Sequence, residues 1–169
     1  MKSKSEYEIL LKKASDLGAE EARVIEAKTI ITAPWVRMKC QFGCGGYNST
    51  YCCPPHTPTP EETRKVIDCY TKAVLVHGTG RGSITKIIVK LEREIFLSGY
   101  YKALGFGAGP CYLCKECPEE GCKHPEKARP SMESCGIDVY ATARLNGFPI
   151  KVVTNHTSEE NYYGVVLIE

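Results

Sequence analysis

Ten cysteines stand in this chain of 169 residues, and eight of them fall in two short runs. Cys111, Cys114, Cys117 and Cys122 occupy GPCYLCKECPEEGC, while Cys40, Cys44, Cys52 and Cys53 occupy KCQFGCGGYNSTYCCPP. Only Cys69 and Cys135 stand apart. Cysteines two or three residues apart bridge one another poorly, because so short a loop strains the disulfide. Their thiolates can instead converge on one ion or cluster. That spacing demands loops organised by metal rather than by a hydrophobic core.

The rest of the composition is ordinary. Hydrophobic residues make up 43% and charged residues 25%, enough for a packed core. The formal net charge is +2, and spread-out Lys and Arg give no reason to expect a nucleic-acid or anionic-membrane partner. No apolar run approaches the roughly 20 residues of a membrane span. The start, MKSKSEYEILLKKASDLG, has neither the apolar region nor the small-residue cleavage site of an export signal. A cytoplasmic location is expected, where clustered cysteines mean metal or redox chemistry more often than disulfides.

The length predicts one domain over residues 1–169 with two cysteine-rich loops, about 38–60 and 109–135. Tyr7, Ile9, Leu10, Leu11, Ala14 and Leu17 have spacings that suit one helical face, stopped at Gly18. ARVIEA (22–27) and TIITAPWV (29–36) have strand character, the second ended by Pro34. Thr59, Pro60 and Glu62 form a helix start. AVLVHG (73–78) is a buried strand, and residues 83–104 hold the longest helical pattern. LGFGAG leads into the second cysteine run, and a short helix is expected over roughly 136–145. PIKVVT and YGVVLIE supply the last two strands. The expected class is α/β or α+β, a single sheet flanked by helices.

The second run, C-x2-C-x2-C-x4-C, is one residue longer than the bacterial ferredoxin run. Consecutive two-residue gaps let turns of an irregular loop offer sulfur to neighbouring irons of a 4Fe–4S cube. Zinc also takes four thiolates, but usually from two pairs separated by a longer stretch. A 4Fe–4S cluster on Cys111, Cys114, Cys117 and Cys122 is therefore favoured over zinc.

In the first run, Cys40, Cys44 and Cys53 supply three sulfurs. Adjacent cysteines rarely serve one ion because successive side chains diverge, and Pro54 and Pro55 fix the chain beyond Cys53. The fourth ligand could be Cys135, Cys69, Cys52 or His56. Cys135, expected just before a helix starting at Gly136, is preferred, since a helix N-terminus favours a thiolate. His56 in its place would make a zinc site. Cys69, beside Tyr70 on a helix face, is expected in the core.

Weaker signals remain. VHGTGRGSITK (76–86) has a phosphate-loop layout without the dinucleotide or Walker spacing, leaving Arg81 and Ser83 as weak phosphate-binding candidates. Arg129 could offset the charge of an anionic cluster. Glu119–Glu120 and Glu159–Glu160 have the setting of solvated loop charges, and no nucleophile–base pair is evident.

CCPPHTPTPEETRKV, GAGPCYLCKEC, HPEKARPSMESCGIDV and NGFPIKVV together resemble domain-of-unknown-function family 2284, predicted metal-binding proteins frequent in methanogens and other anaerobes. The resemblance covers nearly the full chain. It matches Cys40, Cys44, Cys53, Pro54 and Pro55 in the first loop. In the second it matches Cys111, Cys114, Cys117, Cys122, Pro125, Arg129, Pro130 and Gly136. Cys52 and Cys69 look like additions to that pattern. The resemblance implies metal binding, with iron–sulfur the expected form, and no established reaction. The expected function is a soluble protein with one or two 4Fe–4S clusters, exchanging single electrons with a partner protein. The alternatives are a zinc-stabilised interaction module and an enzyme with an open-site cluster.

Overall fold

The computed structural model describes residues 4–80 and 83–169. Four strands form one antiparallel sheet: β1 (Glu21–Glu26), β2 (Lys72–Gly78), β3 (Leu104–Phe106) and β4 (Tyr162–Leu167), in the order β1-β2-β4-β3. Five helices accompany them: α1 (Lys4–Asp16), α2 (Pro34–Gly43), α3 (Pro60–Ile67), α4 (Ser83–Leu97) and α5 (Val139–Leu145). The fold is α+β.

Alternation along β2 and β4 divides the protein into two layers. Val74, Val76 and Val166 face one side, where Leu10 and Ala14 of α1 and Ile84, Ile88, Leu91 and Ile95 of α4 bury an apolar core. Gly164 lets α4 settle directly on β4; a Cβ there would stand 2.6 Å from Ile88 Cγ1. Ala73, Leu75, Val165 and Leu167 face the other side, against Ile30, Ile67, Met132, Ile137 and Ala143. The Cys135 turn lies on this second layer, whereas the second cysteine loop starts at Ala108, in the first core, and ends at Arg129, which is bound to Glu92 of α4.

Two small pairings close the loops at their bases. Gly107 bridges Ser131, with Gly107 N–H donating to Pro130 O at 2.8 Å and Met132 N–H to Gly107 O at 3.0 Å. Residues 108–130 thus leave and return to the sheet edge at one place. Thr32 bridges Ile137, with Ala33 N–H donating to Gly136 O and Asp138 N–H to Ile31 O, each at 2.8 Å. That pairing fixes the start of α2 beside the Cys135 turn.

Several expectations need correction. Residues 29–36 hold no named strand: a 3-10 turn covers Ala27–Thr29, and α2 begins at Pro34. Pro34 therefore acts as a helix starter, where its missing N–H costs nothing, rather than as a strand breaker. Cys40 consequently sits on a helix, not in a loop. PIKVVT forms no strand, and Val152 and Val153 are exposed. The long helix stops at Leu97, with Gly99 at φ 93° making the turn toward β3. No helix begins at Gly136. Cys135 ends a 3-10 turn (Glu133–Cys135), Gly136 has φ 77°, and α5 starts at Val139 with the Asp138 carboxylate capping it. Gly136 is required twice over, by its positive φ and because a Cβ would run into Pro60. The α3 start agrees with expectation: Thr59 and Glu62 form a reciprocal capping box with Pro60 at the first position.

Candidate metal centre

All ten cysteines are free thiols, so the loops are not held by disulfides. The first group assembles from the end of one helix and the loop that follows it. Cys40 comes from the last turn of α2, Cys44 from the residue that ends it, and Cys53 from the segment before Pro54. These three thiols line a cavity of about 200 Å³, shared with Pro110, Glu133 and Ser134. Cys44 is exposed, while Cys53 is buried. Cys135, fully buried, comes within electrostatic reach of Cys40 but belongs to the apolar core rather than to the cavity wall.

Burial sets the chemistry of these thiols. It pushes Cys135 up to about 12, opposed by the Ser134 hydroxyl and the Arg37 guanidinium. Cys40 is raised as well, by burial first and then by Cys44, Glu133 and Cys53, again with Arg37 opposing. Thiols so placed stay protonated until a cation replaces the proton, and metal binding is therefore coupled to proton release. Arg37 supplies the local positive charge. Its guanidinium donates to the carbonyls of Thr57 (3.2 Å), Pro58 (2.9 Å) and Pro55 (3.3 Å), which ties α2 to the chain beyond Cys53. The buried Thr57 hydroxyl then donates to Ser134 O at 2.5 Å.

Glu133 is the residue that sequence reasoning missed here. It lines the cavity with Cys40 and Cys44, and its Oε2 is shut from solvent with no hydrogen-bond partner. Burial raises its pKa, partly offset by its own backbone N–H and the Ser131 hydroxyl. An orphaned carboxylate oxygen is costly unless a proton or cation meets it. No periodicity or motif marks Glu133; only the 3-10 turn aims it inward.

The second group lies across the Pro110–Pro130 loop. Cys111, Cys114, Cys117 and Cys122 are all half-buried, and His124 N–H donates to Cys122 Sγ at 3.4 Å. The structure adds a fifth thiol. Cys52 is 6% exposed, and burial pushes it up to about 12, reinforced by the neighbouring Cys111, then by Cys122 and Cys53. Cys52, a possible fourth ligand of the first group by its place in the sequence, lies with Cys111 and Cys122 and does not line the cavity of Cys40, Cys44 and Cys53. Tyr51 holds this arrangement, its hydroxyl shared between Pro118 O at 2.8 Å and Glu119 O at 2.9 Å.

Arg129 is no surface ion pair. Its guanidinium makes a two-pronged bond to Glu92, both contacts at 2.7 Å, with side chains only 20% and 15% exposed. It also donates to Pro125 O and Ala128 O and lies within electrostatic reach of Cys52. A fixed cation thus stands behind the second thiol group.

The remaining candidates stand apart from both thiol groups or outside the described residues. Cys69 is exposed rather than in the core; it lies two residues past the end of α3, where its thiol donates to Lys65 O. His56 is exposed and engaged by Asn48 Oδ1 at 3.0 Å, with its ring tilted against Tyr51. Arg81 lies outside the described residues, and the Ser83 hydroxyl donates to Gly80 O at 2.6 Å. Glu119, Glu120, Glu159 and Glu160 are exposed. Among the described residues, no helix is long and apolar enough to cross a membrane.

Two thiol-lined groups on loops with little apolar core of their own define a metal-binding class of protein. The family model for the predicted metal-binding proteins of domain-of-unknown-function family 2284 matches residues 23–168, and the chain belongs to that family. No curated protein and no solved structure matches it.

Proposed function

We propose that this protein carries one or two 4Fe–4S clusters and passes single electrons to or from a partner protein. The supporting observation is the sorting of the cysteines: Cys40, Cys44 and Cys53, with Cys135 beside them, form one group, and the Cys111–Cys122 loop forms another. Bound there, such clusters supply one-electron chemistry tuned by hydrogen bonds, charge and exposure. Cys40, Cys44, Cys53 and Cys135 would hold the first and the second loop the other. Tetrahedral zinc brings four thiolates to about 3.8 Å of one another, from a Zn–S bond of about 2.3 Å. Among the described residues, no three His, Cys, Asp or Glu side chains form a single-ion site. Arg37 and Arg129 offset anionic charge at the two groups, and the exposed Cys44 leaves the first one open to a partner.

One observation favours a second reading, an enzyme with an open-site cluster. A cavity of about 480 Å³ reaches Cys40, Cys44 and Glu133 and is also lined by Trp35, Lys39 and Tyr162. A small molecule there could meet the first centre.

Anaerobic purification followed by iron, sulfide and zinc analysis tests the proposal. A brown protein with iron and sulfide in equal amounts supports it. A colourless protein with stoichiometric zinc and no acid-labile sulfide overturns it.

A further inference from the structure

We infer that Cys52 is a ligand of the second metal centre, so that the adjacent pair Cys52–Cys53 divides between two centres. The inference rests on the reading that both thiol groups bind metal, whichever metal that is. Three observations carry it. Cys53 lines the cavity of Cys40 and Cys44, whereas Cys52 does not; Cys52 lies instead with Cys111 and Cys122. Cys52 is buried yet belongs to neither apolar cluster, unlike Cys135, so packing alone does not account for it. Finally, Tyr51 pins this backbone to Pro118 and Glu119 of the second loop, and Arg129, held by Glu92, comes within electrostatic reach of Cys52 from the loop's far end.

Cys53 closes a turn by donating its N–H to Thr50 O at 3.0 Å, and the two side chains of the pair meet different neighbours, Cys53 the cavity of Cys40 and Cys44 and Cys52 the thiols of Cys111 and Cys122, so one backbone step can serve two sites. The second site then has five thiols for four positions: Cys52, Cys111 and Cys122, with Cys114 and Cys117 competing for the remaining place. This is the crossing of ligands between runs that two-cluster ferredoxins use, reached here from a vicinal pair.

Metal counting on the full-length protein, anaerobically reconstituted with iron and sulfide, tests this. Wild type that takes up no metal defeats the underlying reading and not this assignment alone. Given metal in wild type, Cys52→Ala and Cys53→Ala should each lose about half of it. The double variant should lose nearly all, because the two halves are different. A Cys52→Ala protein with full metal, or a double variant that loses no more than Cys53→Ala, overturns the assignment. Circular dichroism checks that each variant is folded. If Cys52→Ala does not fold, Cys114→Ser and Cys117→Ser decide. Full metal in either or both supports a fifth thiol at the site, and loss of the second centre in both overturns it. Cys69→Ser is the control and should keep all its metal.

Discussion

The two faces of the sheet are built by different means. On one, α1 and α4 close a layer in which Leu10, Ile84, Ile88, Leu91 and Ile95 are essentially inaccessible to water. Burying apolar side chains of this size contributes about 1.5–3 kcal/mol each, and that layer needs nothing else. Away from that layer, the segments around Cys44 and Cys111–Cys122 carry few buried apolar side chains. Their order comes from backbone anchors: Arg37 on three carbonyls, Tyr51 on two, and the bridges at Gly107 and Thr32. The comparison teaches where the energy must come from. A region that buries thiols and an unpartnered carboxylate oxygen would gain stability from a cation bound there.

The largest expected effect comes from removing metal. Chelation under anaerobic conditions should raise amide exchange in residues 44–58 and 109–130 to near that of unprotected chain, while β2, β4 and α4 stay protected. Hydrogen-exchange mass spectrometry reads both faces at once. Equal loss of protection in α4 would break the comparison.

The mirror experiment is Ile88→Ala. It should cost about 2–5 kcal/mol by truncating a fully buried side chain, measured by denaturant unfolding, and leave metal per folded chain unchanged. A variant that loses metal in proportion to its stability would show the faces to be one cooperative unit.

A smaller effect sharpens the cysteine face itself. Arg37→Gln removes a cation beside Cys40 and its hold on the 55–58 segment. A loss of about 1.5–3 kcal/mol is expected, the range for hydrogen bonds to charged groups, together with faster metal release to a competing chelator. Metal release at the wild-type rate would argue that the guanidinium serves only the backbone.

The smallest effect belongs to the apolar face. Lys13 and Glu94 join α1 to α4 at 2.5 Å across an exposed surface, and Lys13 holds Glu94 below the usual carboxylate range. A depressed carboxylate contributes stability above its unfolded pKa and loses that contribution as pH falls through its folded one. Glu94→Gln should therefore lower Tm slightly at pH 7, and the gap should close below about pH 4. A gap that persists in acid would assign the effect to packing instead.

Much of the apolar face was legible in the chain. The Ile84, Ile87, Ile88, Leu91 and Ile95 spacing marks α4, and AVLVHG and YGVVLIE become β2 and β4. Local periodicity suffices there because burial on one side is all those elements require. TIITAPWV and PIKVVT failed because a short apolar run specifies burial without specifying conformation. Pro34 could equally end a strand or open a helix, and its place beside the Cys135 turn decided for the helix.

By itself the sequence determined that the protein is organised by two cysteine runs, and it identified Cys40, Cys44 and Cys53 as a set distinct from Cys111–Cys122. Only the tertiary structure decided which distant groups join them. Cys135 reaches Cys40 through the Thr32–Ile137 pairing, Glu133 enters the cavity from a 3-10 turn, and Cys52 crosses to the second loop under the hold of Tyr51. The physical reason is that spacing along a chain constrains only ligands on one stretch of backbone. Which side of an irregular segment each thiol faces depends on contacts from residues dozens of positions away.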